Sequence, residues 1–243
     1  MRTDASSRAL HSEPILGRVR VQKAFRQSKL YDALAAAPLI ALYCFGASGL
    51  AMQVFAAARQ AITARSWLHG LDAAGLLLAL VFIALQVVLF LVRRQPALFS
   101  QGWLARGTAI LAANFIAVLL LLPRAMMPTS LHALSAVLIG AGTAGSIYSA
   151  SYLGRAFSIL PQARQLVTSG PYRFIRHPLY LSEFVALFGV MLQFRQPWSL
   201  TIALAAIALQ IPRMTFEERV LSAAFPTYRD YMARTARLMP HIY

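Results

Sequence analysis

Acidic residues are scarce in this chain. It has 243 residues, of which 8 are acidic and 23 basic, for a formal net charge of +15. No acid occurs between Asp72 and Glu183. Cysteine occurs once, as Cys44 inside an apolar run, which excludes a disulfide framework or a Cys-based metal site within one chain. With no histidine or acid beside it in sequence, Cys44 reads as a small packing residue. The histidines form no metal-ligand pattern: His69 and His132 stand at the ends of apolar segments, and His11 and His241 lie in the tails. No metal site is expected. No recognised nucleic-acid motif is present either, so the positive charge is not read as a nucleic-acid footprint.

Apolar residues are abundant. The hydrophobic fraction is 58%, above the roughly 45–50% usual for soluble domains. Six apolar segments can be drawn: 33–58, 71–92, 104–122, 131–152, 179–194 and 199–211. The first four are each long enough to cross a bilayer. The last two are short and joined by "RQPW", where Pro197 suits a tight turn, so they read as a helical hairpin. The expected fold is an all-α, polytopic transmembrane helix bundle of about six membrane segments, with a cytoplasmic C-terminal helix.

The chain divides into three regions. Residues 1–30 form a basic cytoplasmic arm, within which "ILGRVRVQKAF" can lie on a membrane surface. Residues 31–152 hold four transmembrane helices, and residues 153–243 hold the hairpin and the tail. Arginines decide the orientation. They crowd the arm, the loop with Arg93, Arg94 and Arg106, and the stretch from Arg155 to Arg176. The opposite loops hold Arg59, Arg65 and Arg124. That bias places both termini in the cytoplasm. An alanine- and arginine-rich chain suggests a GC-rich bacterial source and hence the inner membrane.

"GAGTAG" (Gly140 to Gly145) matches G-x-G-x-x-G but follows no strand and has no acid about 20 residues on. Small residues for close helix packing are the better reading.

Chemistry concentrates in "LVTSGPYRFIRHPLYLSEF", from Leu166 to Phe184. Gly170 and Pro171 make a turn, and Pro178 starts a helix at its first position. Tyr180 and Glu183 then share a helical face. Glu183 sits about one turn inside an apolar segment, where acids are costly and usually functional. The plainer alternative is that Arg173 or Arg176 pairs with Glu183 to hold the hairpin. A second group is Arg213, Glu217 and Glu218, at the inner end of the last apolar segment. Here the plainer alternative is a surface ion pair between Arg213 and Glu217. Past these residues, Phe216, Val220, Ala223 and Ala224 mark an amphipathic helix, which breaks at Pro226.

The stretches "LGRAFSILPQARQLVTSGPYRFIRHPLYLSE" and "PRMTFEERVLSAAFPTYRDYMARTARLMP" together resemble the isoprenylcysteine carboxyl methyltransferase family, which shares features with phospholipid N-methyltransferases. The likeness covers the chain from about Leu153 to its end. It implies S-adenosyl-L-methionine bound at the cytoplasmic face, and a lipidic or small-molecule methyl acceptor arriving from the membrane lipid. By position, Leu166 and Val167 fall on the family's cofactor-contacting stretch, and Tyr172 on its tyrosine after the glycine turn. His177, Pro178, Leu179 and Tyr180 match its His-Pro-x-Tyr element. Glu217 matches the cofactor-binding glutamate, and Arg213 an arginine on the acceptor side, the one residue read as catalytic. Two departures stand out: Arg164 replaces a histidine of the eukaryotic enzymes, and "FPTY" is one residue shorter than the usual "FGxxY".

Two rivals share these features. A sterol-type membrane reductase would bind NADPH, with Arg164, Arg173 and Arg176 available to its phosphates. A non-catalytic membrane protein could keep the scaffold alone.

Overall fold

The computed structural model describes residues 29–99 and 102–240. Most of the arm, including "ILGRVRVQKAF", and His241 lie outside them. Helices dominate: α1 (Lys29–Ala64), α2 (Trp67–Val92), α3 (Trp103–Asn114), α4 (Thr129–Leu153), α5 (Pro178–Leu192), α6 (Trp198–Ala224) and α7 (Tyr228–Arg234). The one sheet among the described residues pairs β1 (Leu98–Phe99) with β2 (Gln162–Ala163), antiparallel, with Leu98 opposite Ala163. This is an all-α membrane bundle.

Four helices are long and apolar enough to cross a membrane: Ala36–Ala64 within α1, α2, α4 with its extension to Ala156, and α6. Shorter apolar helices at Trp103–Leu119 and Pro178–Leu192 fill the other two segments of the six-segment reading, and two segments differ from it in detail. The third segment does not continue as one α-helix. Past Asn114 it tightens into a 3-10 helix over Phe115–Leu121. The Asn114 side-chain amide donates to the Ile110 carbonyl at 2.9 Å, a local bond of the kind that competes with the helical ladder. The last segment is longer than expected. Pro212 lies inside α6, which runs unbroken from Trp198 to Ala224 and joins the apolar stretch to the amphipathic one. Proline is tolerated in such helices because neighbouring groups take up the freed carbonyl. The break expected near Pro226 is present, between α6 and α7. α5 and α6 form the expected hairpin, with a cis bond at Gln196–Pro197.

The glycine-rich run lies mid-helix in α4 and packs that helix onto α5. A Cβ on Gly142 would sit 2.3 Å from the Ala186 amide nitrogen, and one on Gly145 2.6 Å from Ser182 Oγ. From the other side, a Cβ on Gly189 would lie 2.8 Å from the Ser135 carbonyl oxygen. Small residues allow such backbone contact, and lipid leaves packing as the main drive for association. Ser135 Oγ closes the seam by donating to the Gly189 carbonyl at 2.8 Å.

At one end of the bundle, Ala36, Leu89, Phe90, Ala150, Phe157 and Ile159 form an apolar cluster with Leu179 against it. At the other, Leu119, Leu187, Met191, Phe194, Ala203 and Ala206 bring the end of α3 onto the α5–α6 hairpin. These clusters hold α5 and α6 side by side and so fix where the ends of both helices lie.

Overpacking of a close contact costs roughly 1–3 kcal/mol. Gly142→Ala should therefore lower the melting temperature in detergent. Gly140→Ala, whose Cβ meets nothing within 4 Å, should leave it unchanged. Equal melting of the two variants would contradict the seam.

Candidate active site

The α4–α5 connection is built as a ledge. Gly154 ends α4 with φ +47°. The chain then pairs with the α2–α3 loop: the Arg94 amide donates to the Arg155 carbonyl at 2.8 Å, and that of Ala97 to Ala163 at 2.8 Å. Arg164 donates to the Arg94 carbonyl and to Gln162 Oε1. The departure from the family pattern at Arg164 thus fastens two loops together. Gly170 has φ +60°, and a Cβ there would overlap the Tyr152 ring, so only glycine fits this turn. The following 3-10 turn, Gly170–Arg173, buries Tyr172.

His177 is the residue before the first turn of α5, with Pro178 at the first helical position. It is 4% exposed, and its Nε2 lies 3.1 Å from Glu218 Oε1. Glu218 also accepts from Arg176 Nε at 2.8 Å and from Arg237 Nη2 at 2.7 Å. Arg176 in turn donates to the Met232 carbonyl at 2.9 Å and to that of Thr235. Backbone bonds run alongside, from the Arg176 amide to Ala236 and from the His177 amide to Arg237. One carboxylate thus ties the start of α5, the end of α6 and the tail into one unit. The suggested pairing of Arg173 or Arg176 with Glu183 is replaced: Arg176 pairs with Glu218.

Glu217, next to Glu218, points elsewhere. It accepts from the Tyr180 hydroxyl at 2.9 Å. The Arg213 guanidinium lies 4.9 Å from the Tyr180 ring centre, within cation–π range. Arg213 donates to Gln210 at 3.2 Å and to the Ile159 carbonyl at 3.3 Å. It is 6% exposed, and its Nε has no partner. The surface ion pair considered for Arg213 and Glu217 is therefore not what forms: Arg213 is buried, and Glu217 is bound by tyrosine.

Leu166, Val167, Tyr172, His177 and Glu217 all line one cleft of about 40 Å³. Tyr228 and Tyr231, from the tail, close it. Pro178, Leu179 and Tyr180 are not on its wall. Leu179 packs into the apolar cluster of α1 and α2, and Tyr180 lies between Glu217 and Arg213. Arg213 is also off the cleft, on the far side of Tyr180.

The Tyr172 hydroxyl is buried and has no partner. Burial first, then the charge of Glu217, pushes its pKa well above the usual tyrosine value. Burial likewise raises Tyr231 to about 12, and Tyr228 upward. All three therefore stay protonated at neutral pH and act as hydroxyl donors, not as bases. Tyr231 spends its proton on the Tyr172 carbonyl at 2.6 Å; Tyr172 has no such use for its own.

Residues 128–227 match the model for phospholipid methyltransferases. The match is to a family of membrane methyltransferases. The match spans α4 to the start of α7, so it begins earlier than the resemblance read from about Leu153. The glycine face of α4 explains the extension, since α5 has no seat without it. Among curated relatives, the nickel-cobalt-cadmium resistance protein NccN of Alcaligenes xylosoxydans xylosoxydans is 34% identical over 102 residues, 41% of this chain and 45% of that protein. The cobalt-zinc-cadmium resistance protein CzcN of Cupriavidus metallidurans is 34% identical over 107 residues, 43% and 46% of the two chains. The chain thus spans under half the length of either relative. Together with its four long apolar helices, the match makes this an integral membrane protein with a methyltransferase-like region.

Glu218, though visible as half of an acidic pair, was not singled out by sequence as the hub. Tyr228 and Tyr231 were not read as site residues at all. Removing one partner of a buried ion pair costs about 3–5 kcal/mol. Glu218→Gln should lower the melting temperature and expose the tail to trypsin at Arg234 and Arg237. A tail that stays resistant would show that Glu218 does not hold it.

Proposed function

We propose that the chain is an S-adenosyl-L-methionine-dependent methyltransferase. On this reading its cleft opens at the cytoplasmic face of a bacterial inner membrane, and both termini are cytoplasmic. The acceptor is a lipidic molecule or a small thiol, carboxylate or amine. The observation that carries this is the convergence of Leu166, Val167, Tyr172, His177 and Glu217 on one cleft, from positions as far apart in sequence as α6 and the α4–α5 ledge.

The donor set suits the cofactor. Glu217 supplies an anion for the ammonium of its amino-acid end. The unpartnered Tyr172 hydroxyl supplies a donor, and Leu166 and Val167 supply apolar wall for the adenine. When bound, the cofactor supplies an electrophilic methyl on a sulfonium. The protein's task is then alignment, because methyl transfer is an in-line displacement. A cleft of about 40 Å³ is far below the roughly 300–1,000 Å³ of ligand pockets, so on this reading the cleft widens on binding. Arg213, with an unpartnered Nε behind Tyr180, is placed to meet an anionic group of the acceptor.

The reductase reading loses support from the arginines it needs. Arg164 and Arg176 are committed to the loop carbonyls and to Glu218, which leaves Arg173 alone of the three for cofactor phosphates.

Binding of labelled S-adenosylmethionine to the purified protein should be competed by S-adenosylhomocysteine and not by NADPH; the reverse would overturn the reading. Glu217→Gln should weaken that binding about ten- to a hundredfold, the value of a charged hydrogen bond. Tyr172→Phe removes a hydroxyl with no partner among the described residues, so it should leave the melting temperature unchanged while weakening cofactor binding. Arg213→Ala should spare cofactor affinity and reduce turnover. Equal cofactor loss in Arg213→Ala and Glu217→Gln would erase the division between cofactor and acceptor sides.

A further inference from the structure

A cavity larger than the cleft lies at the opposite end of the bundle. It has a volume of about 630 Å³, and α1, α2, α4, α5 and the loop holding Arg124 surround it. On α4, His132 lines this cavity and Leu153 lines the cleft. With a rise of 1.5 Å per residue, the two sites stand about 30 Å apart. That is the thickness of a bilayer core, so the cavity meets the other membrane face and takes no part in methyl transfer at the cleft.

Its walls are two-sided in character. Gln53, Ala56, Ala57 and Gln60 form one face of α1, at the three- and four-residue spacing of a helix stripe. Two glutamines in an apolar helix that turn toward a cavity, rather than pack on a neighbour, point to a polar occupant. Across from them, Leu76, Ala79, Ile139 and Val190 supply apolar wall. The charges at the rim are unequal. Asp72 is hydrogen-bonded to His132, 3.0 Å away. Gln193 is also occupied, donating to Ser135 at 3.1 Å. Arg124 lines the same space and makes no ion pair with another described residue. The rim therefore offers a guanidinium that no described carboxylate contacts, and its planar fork suits a phosphodiester. Around it stand amide and carboxylate oxygens that can accept from headgroup hydroxyls.

We propose that this cavity is a binding site for an anionic phospholipid of the adjoining leaflet. Its phosphate rests on Arg124, its headgroup hydroxyls meet Gln53, Gln60 and Asp72, and one acyl chain lies along the apolar wall. The proposal stands independently of the reaction at the cleft.

The probe is phosphatidylglycerol, added to the full-length protein in detergent and followed by native mass spectrometry. One retained lipid per chain is expected. Arg124→Gln should reduce retention about tenfold, the loss of a charged hydrogen bond, and Gln60→Leu should reduce it as well. Arg195→Gln alters an exposed arginine in the α5–α6 turn, outside the cavity lining, and should retain the lipid like the native chain. Melting temperatures identify any variant that has failed to fold, and Gln60→Leu then carries the test in place of Arg124→Gln. Three results overturn the site: no retained lipid, which leaves a water-filled crevice; equal loss in Arg195→Gln, which means only annular lipid; or displacement by inorganic phosphate as readily as by short-chain phosphatidylglycerol, which means a free-phosphate site.

Discussion

The carboxylate of Glu218 is the constraint on which the cleft end of the bundle depends. Arg176 and His177 approach it from the start of α5, and Arg237 from the tail. Each of these groups is mostly buried, and a buried charge without a partner is costly. The arrangement therefore holds as a unit or not at all. It fixes the angle between α5 and α6 at the membrane boundary and lays the tail over the cleft. Glu217, one residue earlier on α6, is then aimed at the space between them.

That arrangement divides two adjacent acids by role. Glu218 is saturated by cations and serves the fold. Glu217 has a single bond, from the Tyr180 hydroxyl, and is on the cleft wall. Tyr180 is bonded to Glu217 on one side and faces Arg213 on the other. It separates the cleft from the interior of the bundle, and through it the cofactor and acceptor sides of the proposed reaction can sense each other. The same helices end, on the opposite face, in a polar cavity with a different chemistry: a guanidinium without an ion pair among the described residues, and amides in place of saturated carboxylates.

The membrane class, the hairpin, the glycine turn and the helical packing role of Gly140 to Gly145 were legible because each rests on local pattern. Apolar run length, a proline at a helix start and the lack of a side chain act over a few residues. Leu166, Val167, Tyr172, His177 and Glu217 were legible through resemblance, and they converge. Pro178, Leu179 and Tyr180 adjoin His177 in sequence yet leave the cleft wall. His177 precedes the helix, and each later residue turns about 100° around its axis, which carries Leu179 into the apolar cluster. The last apolar segment stops at residue 211 because charged residues lie beyond it, not because the helix ends. Within the bundle, the helix continues through Pro212.

The sequence by itself determined a bundle of apolar helices, a turn at Gly170 and Pro171, and a C-terminal region so poor in acids that each one stands out. Only the tertiary structure decided what those acids do. Glu218 and His177 are separated by 41 residues, and no local spacing can say which of two neighbouring carboxylates meets a histidine so far along the chain. That choice rests on how α4 seats α5, and on which face of α6 then turns toward the tail. The same holds for Asp72 and His132, 60 residues apart. Bonded to each other, they leave Arg124 without an ion-pair contact to a described residue at the opposite face.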